Sequence, residues 1–389
     1  KLRIQVRDLD GQQEGLPLYF RLTELEAYAP TDFIDIGRVI YVQVSSSETC
    51  TPSGIAALHD NSDKTYAAEH AINGMYYDNL EHLGYAVPES FGLKNFKNTA
   101  DIEINILRWW QHRIFRNSGV SADGTEIYLD TDWLTSLQST AYSDRITWIE
   151  NAYEFIDQPG EWYLNRSESK LYYKPDGSMD GKSATLPVTE QLLVFEGTEN
   201  ITFDGVKFED TSWLTPNEIG YNDAQSGTYA QHNGVWGDVP GAIETHAAKN
   251  ITITNSELCN LGGGGIRIGN GSSDCAITNS AIHDISSSGI FIGNNTGHNH
   301  GYCDPGTDVT GVVVRNNYIT RTGLDIFGSS AICALYTSDT VIDHNEVCYT
   351  TYTGISLGWG WDWKNAPCSG NNTVSNNYIH DTGKTIHDG

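Results

Sequence analysis

Residues 241–293 read GAIETHAAKN ITITNSELCN LGGGGIRIGN GSSDCAITNS AIHDISSSGI FIG, and this stretch decides the fold. Its first pattern, Ala242-Ile243-Glu244, returns as Gly265-Ile266-Arg267 and Gly289-Ile290-Phe291, and downstream as Ala331-Ile332-Cys333 and Gly354-Ile355-Ser356. A second pattern has apolar residues five apart: Phe203/Phe208, Ile253/Leu258, Ile277/Ile282, Val314/Ile319, Ile342/Val347 and Val374/Ile379. A polar turn separates each pair, as in Asn255-Ser256, Asn279-Ser280, Asn316-Asn317, His344-Asn345 and Asn376-Asn377. Asn tolerates the left-handed backbone of a sharp corner, and stacked Asn side chains can bond one another between repeats.

The spacings carry the argument. Leu258 to Ile266, Ile282 to Ile290 and Val347 to Ile355 are each eight residues, and the return from first to second pattern takes ten or eleven. Regular rungs therefore run 22 to 24 residues, as in a solenoid whose rungs bury their inward residues on one another. From about Val194 to Gly389 the sequence predicts an all-β, right-handed parallel β-helix. A β-sandwich would not hold this register over five rungs. Period-2 alternation points Ile243, Ile266, Ile290, Ile332 and Ile355 inward, and makes Glu244, Arg267, Phe291, Cys333 and Ser356 an outward column.

The 389 residues carry a formal net charge of −27, with no basic stripe, which excludes a nucleic-acid partner. No apolar run approaches the length of a membrane span. The chain begins at Lys1 without Met or signal peptide and stops at His387-Asp388-Gly389, where the repeat predicts another strand, so we read it as a segment of a longer protein. Six N-x-S/T sequons stand at Asn165, Asn200, Asn250, Asn270, Asn294 and Asn371. With the acidic composition they favour an extracellular or cell-surface glycoprotein.

Three insertions break the period, and such loops are where function concentrates. Two leave from one corner: residues 293–308 with His298, His300, Cys303 and Asp304, and residues 358–370 with Trp359, Trp361, Asp362, Trp363 and Cys368. Cys303 and Cys368 each lie thirteen residues after the inward Ile of their rung. Those rungs are two apart, roughly 10 Å at strand spacing, and this predicts a Cys303–Cys368 disulfide. The third insertion, residues 211–241, contains Trp213, Trp236 and Asp238.

The N-terminal half shows no clean period. Residues 1–99 read as a mixed region, with strands expected at 3–7 and 39–44 and a helix at 62–77. Residues 100–193 read as a β-rich cap with strands at 101–107, 114–117, 126–129 and 171–173. Residues 194–389 are the β-helix itself.

Within the cap, residues 148–164 read WIENAYEFIDQPGEWYL and residues 170–175 read KLYYKP; residues 352–361 read YTGISLGWGW. These stretches resemble right-handed β-helix proteins allied to glycoside hydrolase families 120 and 141, over about residues 95–389. The resemblance implies cleavage of xylosidic or fucosidic linkages by paired carboxylates. Two departures stand out: Cys348-Tyr349 replaces the His-Asp pair common in the turn before the Y-T-G strand, and the chain stops where related sequences continue into another strand.

Glycoside hydrolysis needs two carboxyl groups about 5 to 9.5 Å apart. The candidates are Glu244 on the outward column, Asp325 in the turn insertion 324–328, Asp362 in the Trp-rich loop and Asp388 in the last corner. Arg267, Phe291, His300, Trp359, Trp361 and Trp363 are the expected ligand-binding residues, the indoles stacking on sugar faces. For any single acid a solvated turn is the commoner role, and the Trp residues could equally pack their loop. His283-Asp284 and His380-Asp381 occupy equivalent corners, and their recurrence favours a structural bond.

No metal or cofactor is expected. His298, His300, Asp304 and Asp308 match no strong zinc spacing, and calcium is the one ion the acids could serve. Gly262–Gly265 precede a strand, so they form no phosphate loop. Three functional readings follow. The first is a secreted glycoside hydrolase acting on a polysaccharide. The second is a non-catalytic structural or adhesive glycoprotein, using the β-helix as a rigid scaffold among neighbouring copies or extracellular proteins. A polysaccharide lyase with Arg267 as base ranks third, because no acidic cluster flanks Arg267 in the sequence.

Overall fold

The computed structural model describes residues 40–41, 57–58, 65–66, 73–78, 82–129, 146–180, 182–230, 236–293, 307–358 and 369–387. It divides into two compact units. One holds residues 1–107, 113–183 and 216–220, the other residues 108–112, 184–215 and 221–389.

The second unit is the β-helix. Its first sheet stacks Leu193–Glu196, Gly241–His246, Gly264–Ile268, Ile290–Gly293, Ile332–Leu335 and Ile355–Leu357 in parallel. The five-apart pattern is two strands in different sheets. Glu199–Asp204, Lys249–Thr254, Ala276–Thr278, Val313–Arg315, Val341–Asp343 and Thr373–Ser375 form the second sheet. Lys207–Thr211, Glu257–Leu261, Ala281–Ile285, Tyr318–Thr322, Glu346–Cys348 and Tyr378–His380 form the third. Each rung is thus three strands, and the Asn turn is the bend between two of them.

Ile243, Ile266, Ile290 and Ile332 stack in exact register with exposures of 0 to 1%, and Ile355 packs half-buried against the same core. Gly205, Asn255, Asn279, Asn316, His344 and Asn376 occupy one corner with φ between 49° and 70°. The residue after each corner points inward and forms a ladder. Ser280 accepts from the Ser256 amide at 3.1 Å, Asn317 from Ser280 at 3.0 Å, Asn345 from Asn317 at 3.0 Å and Asn377 from Asn345 at 2.9 Å. These bonds satisfy backbone groups that a bend would otherwise bury without partners.

Two further left-handed columns mark the other bends. Asn200, Asn250, Asp274, Gly311, Asp339 and Asn371 make one, with Asn250 Nδ2 donating to Asn200 Oδ1 at 2.8 Å. Asp210, Asn260, Asp284, Arg321, Tyr349 and Asp381 make the other, so Tyr349 stands where the equivalent rungs hold an aspartate, asparagine or arginine. Gly293 and Gly358 each end a first-sheet strand with φ of 90° and 91°. Both loops of the sequence reading leave the helix there, at one corner. The four cysteines among the described residues of the helix, Cys259, Cys275, Cys333 and Cys348, are free thiols. Cys303 and Cys368 lie outside the described residues.

The first unit is antiparallel. His82–Ala86 pairs with both Asn73–Asp78 and Glu126–Leu129, and Glu103–Arg108 pairs with Trp148–Glu150. Tyr85, Leu93, Ile102, Ile104, Ile106, Phe115, Ile127 and Leu129 form its core. The helix expected at 62–77 is not formed: Thr65–Tyr66 and Asn73–Asp78 are strands. Cross-strand pairing overrides the weak local preference there. Residues 3–7 lie outside the described residues, and of 39–44 only Ile40–Tyr41 is described, as a strand.

The motif at 148–175 is architectural. Glu161, 6% exposed, accepts from the Asp157 and Gln158 amides, closing the Pro-Gly turn. The following strand, Trp162–Asn165, pairs antiparallel with Lys170–Tyr173. Asn165 is 3% exposed, its Oδ1 accepting from Ser167 Oγ at 2.8 Å and the Glu168 amide at 2.9 Å. Beside it Glu103 pairs with Arg166 and accepts from Asn217 Nδ2 at 3.0 Å; burial, and then the Glu150 charge, pushes its carboxyl up.

Among the described residues no helix is long and apolar enough to cross a membrane.

Candidate functional site

The outward column of the first sheet is continuous in register: Val194, Glu244, Arg267, Phe291, Cys333 and Ser356. Parallel pairing aligns these side chains on one face because β alternation repeats every two residues in each rung. Asp238 joins them from the insertion at 211–241, on the strand Trp236–Asp238, which pairs with Thr228–Ala230.

Arg267 is the hub. Its Nη1 donates to Glu244 Oε1 at 2.9 Å, its Nη2 donates to Asp238 Oδ2, and its guanidinium sits 5.7 Å from the Phe291 ring centroid. Glu244 also accepts from Gln191 Nε2 at 2.6 Å through Oε2, and its Oε1 lies 3.1 Å from His246 Nε2. The side chains of Arg267, Asp238 and Glu244 are only 14%, 6% and 6% exposed. Arg267 Nε is buried with no hydrogen-bond partner among the described residues. In so dry a setting each charge acts on its neighbours far more strongly than in water.

Aromatic rings from the same insertion lie nearby in the unit. Trp213, Tyr221 and Tyr229 pack with centroids 5.2 to 5.9 Å apart. Burial, and then the Asp223 charge, raises the Tyr221 hydroxyl well above its usual range, with a further push from Asp238. Burial also pushes the Cys333 thiol far up, with Asp238 adding to it, so Cys333 stays a neutral thiol.

Of the expected site residues the structure unites Glu244, Arg267 and Phe291. Asp325 is held elsewhere, accepting from Ser286 Oγ while its amide donates to the Ser286 carbonyl at 3.1 Å. Its corner leads into the strand Ile332–Leu335, three strands along from Glu244, or about 14 Å at the usual spacing. His300, Trp359, Trp361, Asp362, Trp363, Asp388 and Asn294 lie outside the described residues. One expectation is corrected: Arg267 is flanked by acids, Asp238 and Glu244. Asp238 lies twenty-nine residues away in an aperiodic loop, so no spacing rule pairs it with Arg267.

The helix has recognisable relatives in fold. Residues 241–389 match the family model for the right handed beta helix region. The chain carries a right-handed parallel β-helix. Among solved structures it is similar to a glycoside hydrolase, with a TM-score of 0.69 and 24% identity, over 80% of this chain and 60% of that one. The chain thus spans about 60% of the length of that protein. An alginate lyase from Paenibacillus sp. str. FPU-7 matches at a TM-score of 0.23 and 16% identity, over 48% of this chain and 72% of that one. No curated protein matches the chain in sequence.

Proposed function

We propose that this chain is a carbohydrate-active protein, part of an extracellular glycoside hydrolase whose carboxyl pair is Glu244 and Asp238. The observation that carries the reading is the bridging of two nearly buried carboxylates by Arg267 on an outward face of the β-helix. Glycosidases hold their two carboxyl groups about 5 to 9.5 Å apart, and one guanidinium that bonds both Glu244 and Asp238 keeps these two carboxylates close neighbours. One carboxylate would face the anomeric carbon, as nucleophile or through a water, while the other moves the leaving-group proton. Phe291, expected from the sequence to meet the ligand, is only 4% exposed and packs with Cys333, Leu335 and Tyr336, so it presents no open ring to a sugar. With two acids to one arginine, the site suits a neutral glycan better than a uronate. The likeness in fold to a glycoside hydrolase agrees with this reading.

The test is hydrolysis of a panel of aryl glycosides and neutral polysaccharides by the natural full-length protein. Glu244→Gln and Asp238→Asn should each lower kcat by about 10²–10⁴-fold. Full activity in both variants would overturn the assignment of the pair.

The near-complete burial of Glu244 and Asp238 also favours a second reading, in which the cluster only docks the insertion onto a rigid extracellular scaffold. Absence of turnover on every substrate, with the variants merely less stable, would establish that reading. The extracellular setting rests on the sequons, and the Cys303–Cys368 bridge belongs to the same proposal. Peptide mapping of the secreted protein, with and without reduction, tests the bridge and finds the glycans.

A further inference from the structure

The third sheet has its own outward column, and it repeats. Glu209, Cys259, His283, Thr320, Cys348 and His380 lie in register along it. Two places behind Cys259 and Cys348 in the chain stand Glu257 and Glu346, also outward, because Leu258 and Val347 between them point into the core. The strand following each Glu-x-Cys places a histidine directly opposite the cysteine. Glu257, Cys259 and His283 therefore converge, and so do Glu346, Cys348 and His380. In each trio the carboxylate oxygen, the sulfur and the imidazole nitrogen all lie within 4.8 Å of one another.

A second feature recurs with the trios. His283 Nδ1 lies 2.7 Å from Asp284 Oδ2, and His380 Nδ1 lies 3.0 Å from Asp381 Oδ2. Both aspartates sit in the left-handed bend, with φ of 57° and 52°, which turns their carboxylates back onto the preceding ring. Nε2 then faces the glutamate, at 3.2 Å from Glu257 Oε1 and 3.4 Å from Glu346 Oε1. A carboxylate on Nδ1 fixes the tautomer with the Nε2 lone pair outward, the arrangement that orients histidines toward metals. Thiolate, imidazole and carboxylate are the ligand set of zinc, and three protein ligands leave one position open.

We propose that the outward face of the third sheet carries two binding sites for a thiophilic divalent cation of the zinc class, at Glu257–Cys259–His283 and at Glu346–Cys348–His380. The thiol and soft-donor content excludes magnesium and calcium as occupants. Cation binding displaces the thiol proton to solvent, forming the metal–sulfur bond as the S–H bond breaks. Other charges face each site. Glu209, Lys207, Asp284 and Arg321 surround the first, with Glu209 Oε2 3.9 Å from the Cys259 sulfur. Asp381 and Lys384 flank the second, together with the Tyr378 ring stacked 4.3 Å from His380. This proposal is independent of the carbohydrate reading.

The test is a cobalt(II) titration of the reduced, metal-stripped natural protein, followed by thiolate-to-cobalt charge-transfer absorption and by displacement with zinc. Cys259→Ser and Cys348→Ser should each remove one equivalent of the thiolate band, and the double variant two. Cys275→Ser and Cys333→Ser should leave the band unchanged. Asp381→Asn, at the surface, should weaken the second site about 10–100-fold without affecting folding. No thiolate band in the natural protein, or an undiminished band in the double variant, would overturn the proposal.

Discussion

Arg267 reaches Glu244 across one strand spacing, Nη1 to Oε1 at 2.9 Å, from a position directly opposite it in the parallel register. The same guanidinium holds Asp238, so one cation balances two carboxylates that are almost wholly out of water. Removing the cation strands both. Arg267→Met should cost about 3–5 kcal/mol, measured as the shift in the denaturant midpoint at unchanged slope. Adding Glu244→Gln to that variant should restore part of the loss. A second substitution that destabilises further would disprove the uncompensated-charge account.

Asn345 is an interior member of the inward ladder, between Asn317 and Asn377, and 1% exposed. It accepts from both the amide and Nδ2 of Asn317 and donates Nδ2 to the Val314 carbonyl at 3.0 Å. Asn345→Ala should therefore cost about 2–4 kcal/mol, since several buried partners lose their bond at once. Asn376→Ala, on the outer column, should cost far less. Thermal unfolding of the two variants side by side checks the ranking.

Gly293 and Gly358 share a left-handed φ near 90° but differ in the space around them. A Cβ at Gly293 would fall 1.7 Å from the Leu335 carbonyl oxygen, whereas at Gly358 nothing described lies within 4 Å. Gly358→Ala should cost only backbone strain, about 1–2 kcal/mol. Gly293→Ala adds a backbone clash and should cost about 3 kcal/mol or more. Equal melting temperatures for the two variants would refute this.

The bend at His380 should respond to pH in a window set by both partners. The Asp381 hydrogen bond raises the His380 imidazole above its usual value, and Lys384 followed by His380 lowers the Asp381 carboxyl. The raised histidine contributes stability that is complete below about pH 6.5 and is lost as pH rises through its folded value. The lowered aspartate contributes stability present above about pH 3.9 and lost as pH falls through its folded value. Between these limits the pair is at its strongest. NMR titration of His380 should show a midpoint above about 6.5 that drops in Asp381→Asn; an unmoved midpoint would rule out Asp381 as the cause.

Much of this was readable in the chain. The inward isoleucines, the outward column from Glu244 to Ser356 and the Asn bends all follow from spacings, because a solenoid repeats the same local contacts every rung. The His-Asp corners were also legible as bonded pairs. Residues 62–77 were not, since strand pairing there depends on partners brought in from Leu83 to Ala86. The two Glu-Cys-His trios escaped notice because their members are split between rungs of unequal length, so no fixed interval links cysteine to histidine.

The division is physical. The sequence by itself determined the β-helix, its register and the side of each strand that faces the core, all of which depend on near-neighbour periodicity; the outward residues Glu244, Phe291 and Cys333 are nonetheless buried, which no repeat announces. Only the tertiary structure decided that Asp238 is the second carboxylate beside Glu244. That contact joins an aperiodic insertion to a strand, and its position depends on how the Trp213, Tyr221 and Tyr229 loop folds back within the unit. Within the 148–175 motif, likewise, only the structure reveals that Glu161 closes the turn by accepting from the Asp157 and Gln158 amides.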